Sequence, residues 1–221
     1  MSSNLTSAEE NYIKNIYHLQ RSAGSATTNE LAAMLGAKPA SITDMLKKLK
    51  AKKLLQYEPY KEFWLSVQGK KIALGIVRKH RLWEYFLVEK LQFGWDEVHE
   101  MAEELEHVGS KKLVENLDAF LNHPRFDPHG DPIPDSNGKM SRQQQINLVD
   151  MPFNKQAEVT SVGDQSSELL ELLKHKNIHI GTRLEVKKKF GFDNSVEVKI
   201  GTMSPVTISE QLARALFVKQ V

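Results

Sequence analysis

Thr28-Asn29-Glu30-Leu31-Ala32-Ala33-Met34-Leu35-Gly36, followed closely by Lys38-Pro39-Ala40-Ser41-Ile42-Thr43-Asp44-Met45-Leu46-Lys47-Lys48, is the stretch on which the fold turns. Thr28 reads as a helix cap and Gly36 as a helix stop, which predicts a helix over 29–35. Pro39 suits the first turn of a new helix, so another runs over 39–52 with Ile42, Met45, Leu46 and Leu49 on its buried face. Two helices joined by a short Gly-containing turn form a helix-turn-helix.

Upstream, Thr6-Ser7-Ala8-Glu9 is a capping-box pattern, and Tyr12, Ile13, Ile16, Tyr17 and Leu19 continue at helical spacing to about Arg21. Downstream, Leu54-Leu55-Gln56-Tyr57-Glu58 and Phe63-Trp64-Leu65-Ser66-Val67 are short β-prone runs separated by Pro59-Tyr60-Lys61-Glu62, which reads as a hairpin, or wing. Long helices follow over 70–90, 95–108 and 110–121. Residues 123–138 hold four Pro and two Gly, a linker composition that no helix would survive, and a domain boundary is placed there. From about residue 156 the pattern shifts to β-rich runs at 182–186 and 195–200, preceded by a helix near 166–174. That predicts a small β-barrel-like module.

The 221 residues allow one large or two small domains at the usual size of roughly 150 residues each. With 40% hydrophobic and 26% charged residues the composition is that of a soluble globular protein, which excludes disordered and collagenous classes. The absence of Cys excludes disulfide scaffolds, thiolate zinc sites, iron–sulfur clusters and thiol nucleophiles. No apolar run of about 18 residues and no basic-then-apolar leader is present, so membrane insertion and export are not expected and the expected compartment is the cytoplasm.

The net charge of +2 conceals an uneven split. Between Lys38 and Lys71 nine Lys oppose Asp44, Glu58 and Glu62, whereas Asp96, Glu97, Glu100, Glu103, Glu104 and Glu106 stand together with no Lys or Arg among them. The basic module suits DNA: Ala40, Ser41 and Thr43 at the start of the third helix can meet base edges or phosphate. Lys47 and Lys48 further along can hold phosphates, and Lys61 at the hairpin tip extends the contact. In the acidic module His99, Glu103, Glu106 and His107 fall at i, i+4, i+7 and i+8, within about 100° of one helix face. His80 and Glu84 form a second i, i+4 pair. Imidazoles and carboxylates without thiols suit Mn, Fe, Zn or Co rather than Cu(I). Such a stripe can equally be a solvated helix face. A metal-dependent hydrolase using the same cluster is the competing class, although the metalloprotease pattern His-Glu-x-x-His is missing, since His99-Glu100-Met101-Ala102 is followed by Glu103.

Tyr12-Ile13-Lys14-Asn15-Ile16-Tyr17, Lys38 to Thr43, Arg78-Lys79-His80-Arg81-Leu82-Trp83-Glu84, Val98-His99 through Glu106-His107-Val108, and Pro128-His129-Gly130-Asp131-Pro132-Ile133-Pro134 together resemble the diphtheria toxin repressor and manganese transport regulator family. The resemblance implies a mainly α chain with three parts. Residues 1–70 would form a winged helix-turn-helix, 71–140 a helical metal-binding and dimerisation domain ending in the Pro-rich linker, and 150–221 an SH3-like, FeoA-like β-barrel. It implies a homodimer that represses metal-homeostasis genes by binding double-stranded operator DNA through Lys38, Pro39, Ala40, Ser41, Thr43, Lys47, Lys48 and Lys61 when a divalent cation loads. No membrane and no enzymatic activity are implied.

By position, the effector site would take Asn11, Glu103, Glu106 and His107, and an ancillary site His80, Glu84 and His99 with help from Asp164. Iron-selective relatives carry Cys at position 103 and manganese regulators carry Glu, so Mn(II) is expected first and Fe(II) second, with Zn(II) or Co(II) able to bind in vitro. Position 14 is Lys where manganese regulators with a close binuclear centre carry Glu, and an ammonium cannot ligate a cation. Two separated sites are therefore expected, with Asp127 and His129 as candidate additional ligands.

Overall fold

The structure is a computed structural model that describes residues 5–58, 61–108 and 110–221. The hairpin-tip residues Pro59 and Tyr60 lie outside the described residues. The chain divides into two compact units, one built from Met1–His80, Leu105–Lys111 and Pro134–Lys139, the other from Arg81–Glu104, Lys112–Ile133 and Met140–Val221.

The first unit begins with α1 (Ser7–Ala23), whose capping box is complete: the Glu9 amide donates to the Thr6 hydroxyl and the Thr6 amide donates to the Glu9 carboxylate. α2 spans Thr28–Leu35 and α3 Pro39–Ala51. The cap of α2 is Thr27, one residue before the expected Thr28, because only Thr27 has an acid three residues on, Glu30, to bond back to it. Gly36 ends α2 at φ 58°, a left-handed conformation that costs Gly little. Strands β1 (Leu55–Gln56) and β2 (Trp64–Leu65) pair antiparallel as Leu55↔Leu65 and Gln56↔Trp64, and a bridge joins Ala26 to Phe63. Ile13, Ile16, Leu31, Ile42, Leu46, Leu49, Leu54 and Phe63 are fully buried, each contributing about 1.5–3 kcal/mol. Their burial holds α1 against the helix-turn-helix.

Helix α4 (Val67–Leu91) is followed by α5 (Val98–Leu105) and α6 (Lys111–Phe120). In the second unit Leu82, Leu117, Leu121 and Ile133 form a small apolar cluster flanked by Trp83, Tyr85, Phe86 and Val114. The remainder of that unit is an antiparallel sheet, with six strands among the described residues, in the order β3-β8-β4-β5-β6-β7. The strands are β3 (Ile146–Asn147), β4 (Gln156–Val162), β5 (Arg183–Lys189), β6 (Val196–Ile200), β7 (Val206–Ile208) and β8 (Leu216–Gln220). Helices α7 (Ser167–His175) and α8 (Glu210–Arg214) accompany them. Val159, Leu173, Val186, Val198, Leu216 and Val218 lie in one core, and bulges in β4 and β5 bend those strands around it.

Two further sequence expectations change. Helix α5 runs 98–105 rather than 95–108, so His99 and Glu103 share a helix turn while Glu106 and His107 lie in the turn beyond it. The acidic run explains the early stop, since Glu103 and Glu104 oppose the negative end of the helix and like charges crowd at i, i+3 and i, i+4. Residues 123–138 carry no helix, as expected, but they are not a loose tether. Gly130 sits at φ 85° where an added Cβ would fall 1.9 Å from the Thr160 carbonyl oxygen, and the His129 carbonyl accepts from the Val162 amide.

Candidate metal centre

In the first unit, helix α1 presents Glu10, Asn11 and Lys14 within an arc of about 100°. The turn closed by the Val108 amide on the Leu105 carbonyl presents Glu106 and His107. The Glu106 carboxylate is fully buried. Lys14 Nζ stands 2.8 Å from Oε1 and 2.9 Å from Oε2, and His80 Nδ1 lies 2.8 Å from Oε2. Burial pushes the Glu106 carboxyl up, but the hydrogen bond from His80 and the Lys14 ammonium outweigh it and hold it below the ordinary carboxylate value.

His107 Nδ1 is 2.7 Å from Glu10 Oε2, which makes Nδ1 the protonated nitrogen and leaves the Nε2 lone pair of the neutral ring 3.7 Å from Glu106 Oε1. A carboxylate behind an imidazole is the arrangement that orients a metal-ligating His. Asn11 Oδ1 is buried with no hydrogen-bond partner among the described residues. An oxygen left that way costs about 1–3 kcal/mol, so a donor set of Asn11, Glu106 and His107 fits a hard to borderline divalent cation. Glu10 was not read from the sequence as part of a site; its i, i+4 spacing from Lys14 was the available signal.

The second unit holds a separate cluster. Glu84, Asp127 and His129 are all buried and each offers a ligand atom within 4.8 Å of the others. The loop is built for it: the Asp127 carboxylate accepts from the amides of His129 and Asp131, while Arg81 reaches Asp127 at 3.3 Å and Asp131 at 2.9 Å. His129 Nε2 lies 2.7 Å from the Trp95 carbonyl and its ring stacks on Trp95, so Nε2 is a donor and Nδ1 is the nitrogen turned to Glu84. That Nδ1 stands 3.8 Å from Glu84 Oε2. Neither His129 Nδ1 nor Asp127 Oδ2 has an aligned hydrogen-bond partner among the described residues.

Burial and the Glu84 carboxylate push Asp127 up to about 7 against the pull of Arg81. Burial lowers His129, but the carboxylates of Glu84 and Asp127 more than offset it and raise the imidazole to about 8. Two buried carboxylates beside an imidazole aimed between them fit a divalent cation.

The remaining predicted residues are distributed as follows. His99 Nδ1 is 3.4 Å from Glu84 Oε1 and its Nε2 is 3.6 Å from Glu103 Oε1. His80 Nδ1 lies 2.8 Å from Glu106 Oε2. Asp164 is exposed, bonded to the Ser166 amide and hydroxyl, and lines a cavity of about 600 Å³ with His99, Asp96 and Glu100. Lys38, Pro39, Ala40, Ser41, Lys47 and Lys48 are exposed on α3 or its cap. Thr43 is half-buried with its hydroxyl donating to the Pro39 carbonyl, Lys47 lies 3.6 Å from Asp44, and Lys61 pairs with Glu58 at 2.6 Å.

The sequence matches three families end to end. Residues 4–63 match "Iron dependent repressor, N-terminal DNA binding domain", 66–135 match "Iron dependent repressor, metal binding and dimerisation domain", and 146–220 match "FeoA domain". The iron-dependent repressor IdeR of Mycobacterium tuberculosis is 26% identical over 229 aligned positions, covering 98% of this chain and 99% of that protein. The HTH-type transcriptional regulator MntR of Oceanobacillus iheyensis is 34% identical over 122 positions, 55% of this chain and 82% of the relative. Among solved structures, a manganese-dependent transcriptional repressor in complex with manganese superposes with a TM-score of 0.86 at 30% identity, over 96% of this chain and all of the other. These relatives are regulators, which sets the hydrolase reading aside, and among the described residues no helix is long and apolar enough to cross a membrane. With a helix-turn-helix, two buried carboxylate–imidazole clusters and a FeoA domain in this order, the chain belongs to the diphtheria toxin repressor and manganese transport regulator family of metal-dependent transcriptional repressors.

Proposed function

We propose that this chain binds double-stranded operator DNA as a homodimer in the cytoplasm when Mn(II), or secondarily Fe(II), is loaded, and so represses genes of metal-ion uptake. In this reading residues 1–70 contact DNA, 71–140 hold metal and dimerise, and 150–221 form the SH3-like module. The observation that carries it is that α1 brings Lys14 onto Glu106 and Glu10 onto His107, within the unit that contains the helix-turn-helix.

Asn11, Glu106 and His107 would hold the effector ion, with Glu103, three residues before Glu106, contributing a further carboxylate. The ion supplies positive charge around which these donors can gather. Glu10 keeps His107 in the tautomer whose Nε2 can ligate, and with the ion bound Asn11 would tie α1 to Glu106 and His107. Since α1 packs on α2 and α3, its position sets that of the DNA-reading helix. Donors that gather only around a cation shift a pre-existing equilibrium toward the binding-competent arrangement.

Glu84, Asp127 and His129 would form the second site, with His99 beside Glu84 and Asp164 on the neighbouring cavity wall. An all-oxygen-and-imidazole donor set supports Mn(II) or Fe(II) over Cu(I). Metal analysis after equilibrium dialysis against Mn(II), paired with DNA binding, tests the assignment. Glu103→Ala or His107→Ala is expected to abolish metal-stimulated DNA binding while the protein stays folded and dimeric. Full metal stimulation in both variants contradicts the effector site.

A further inference from the structure

We infer that Lys14 is an internal cation that the effector ion must displace from Glu106, and that it thereby sets the metal threshold of the regulator. The inference rests on the effector-site reading of Glu106. Both oxygens of this fully buried carboxylate lie within 2.9 Å of the Lys14 ammonium, and one of them also meets His80. Lys14 is itself only 5% exposed, so the pair is shielded from the solvent that would otherwise weaken it. An ammonium has three donors and no lone pair, and cannot share a ligand position with a divalent ion.

Loading is therefore an exchange: the Lys14–Glu106 contact opens as the carboxylate turns to the ion, and the affinity observed is the intrinsic affinity reduced by the stability of that contact. The same charge keeps a second ion away from position 14. A lysine serving only as packing or as a structural ion pair makes the opposite prediction, since removing it would loosen Glu106 and weaken metal binding or leave it unchanged.

The test measures Mn(II) affinity by competition with a fluorescent chelator, together with thermal unfolding of the metal-free and Mn(II)-loaded full-length protein. Lys14→Met should bind Mn(II) about ten-fold more tightly while the metal-free protein melts lower, two changes of opposite sign. Lys14→Arg should retain the wild-type affinity within a few-fold, and Lys14→Glu should add one bound Mn(II) per subunit. If Lys14→Met does not fold, Lys14→Gln carries the same comparison. Unchanged or weaker Mn(II) binding on loss of the lysine charge overturns the inference. Glu106→Gln separates the two layers: if it binds as many Mn(II) ions as the wild type, the effector-site reading falls and the lysine inference with it. If it loses one ion while Lys14→Met gains no affinity, only the lysine inference falls.

Discussion

The two carboxylate–imidazole clusters answer the same problem in opposite ways. Around Glu106 the chain supplies its own cation, Lys14, and the buried carboxyl sits below its ordinary range. Around Glu84, Asp127 and His129 two buried carboxylates face one imidazole, with Arg81 3.3 Å from Asp127, and the acid is still pushed up to about 7. The first cluster is closed by an internal ammonium, while the second is balanced by Arg81 and by the protons that Asp127 and His129 hold up to about pH 7 and 8. A buried charge is costly alone and tolerable when paired, so the difference sets what each cluster does without metal.

The contrast is sharpest in the stability of the metal-free protein. Glu106→Ala strands the Lys14 ammonium in the interior and is expected to cost about 3–5 kcal/mol by chemical denaturation. Glu84→Gln removes one of two like charges and should stay within about 1 kcal/mol of the wild type. Equal losses in both variants would erase the distinction between the clusters.

A smaller effect follows from pH. Asp127 and His129 both have folded-state values above their unfolded ones, 7 against 3.8 and 8 against 6.5, so the stability they lend is complete at low pH and lost as pH rises through the folded values. The metal-free protein should therefore lose roughly 3 kcal/mol between pH 6 and pH 8.5, and Asp127→Asn with His129→Gln should flatten that slope. A metal-free protein that gains stability over this interval would contradict the charge balance drawn for the second cluster. The smallest effect expected is at the DNA face. Lys47→Ala should weaken binding to all sequences alike and reduce the salt slope by about 1 per subunit, measured by titration at several salt concentrations.

The DNA-reading half was legible because its signals are local. Capping boxes, a left-handed Gly36 and Pro39 each act within four residues, and the one error, Thr28 for Thr27, came from choosing between adjacent threonines. The metal clusters were legible in membership more than in arrangement. Spacing grouped His99 with Glu106 and His107 on one helix, but helical periodicity has no term for a helix that ends at Leu105 under its own negative charge. His80 was read with Glu84 because they sit one turn apart, and its further bond to Glu106, 26 residues away, is of a range that periodicity does not reach.

Lys14 was visible as a misplaced charge, yet its partner lies 92 residues along the chain. Asp127 and His129 were named as additional ligands through the family resemblance alone, because the Pro and Gly around them mark both loose tethers and tightly folded loops. The cue separating these was Gly130, whose conformation and close approach to Thr160 only Gly permits. In the FeoA domain β4 was missed because Val159 through Val162 are all buried, which removes the alternation by which a half-exposed strand is read.

Metal-gated DNA binding is tested most directly by fluorescence anisotropy of labelled DNA from upstream of this gene and of nearby transporter genes, titrated with the protein at fixed salt, first with Mn(II) and then with excess chelator. Tight binding with Mn(II) that the chelator reverses is the result predicted here. Binding of the same strength with chelator present would contradict it.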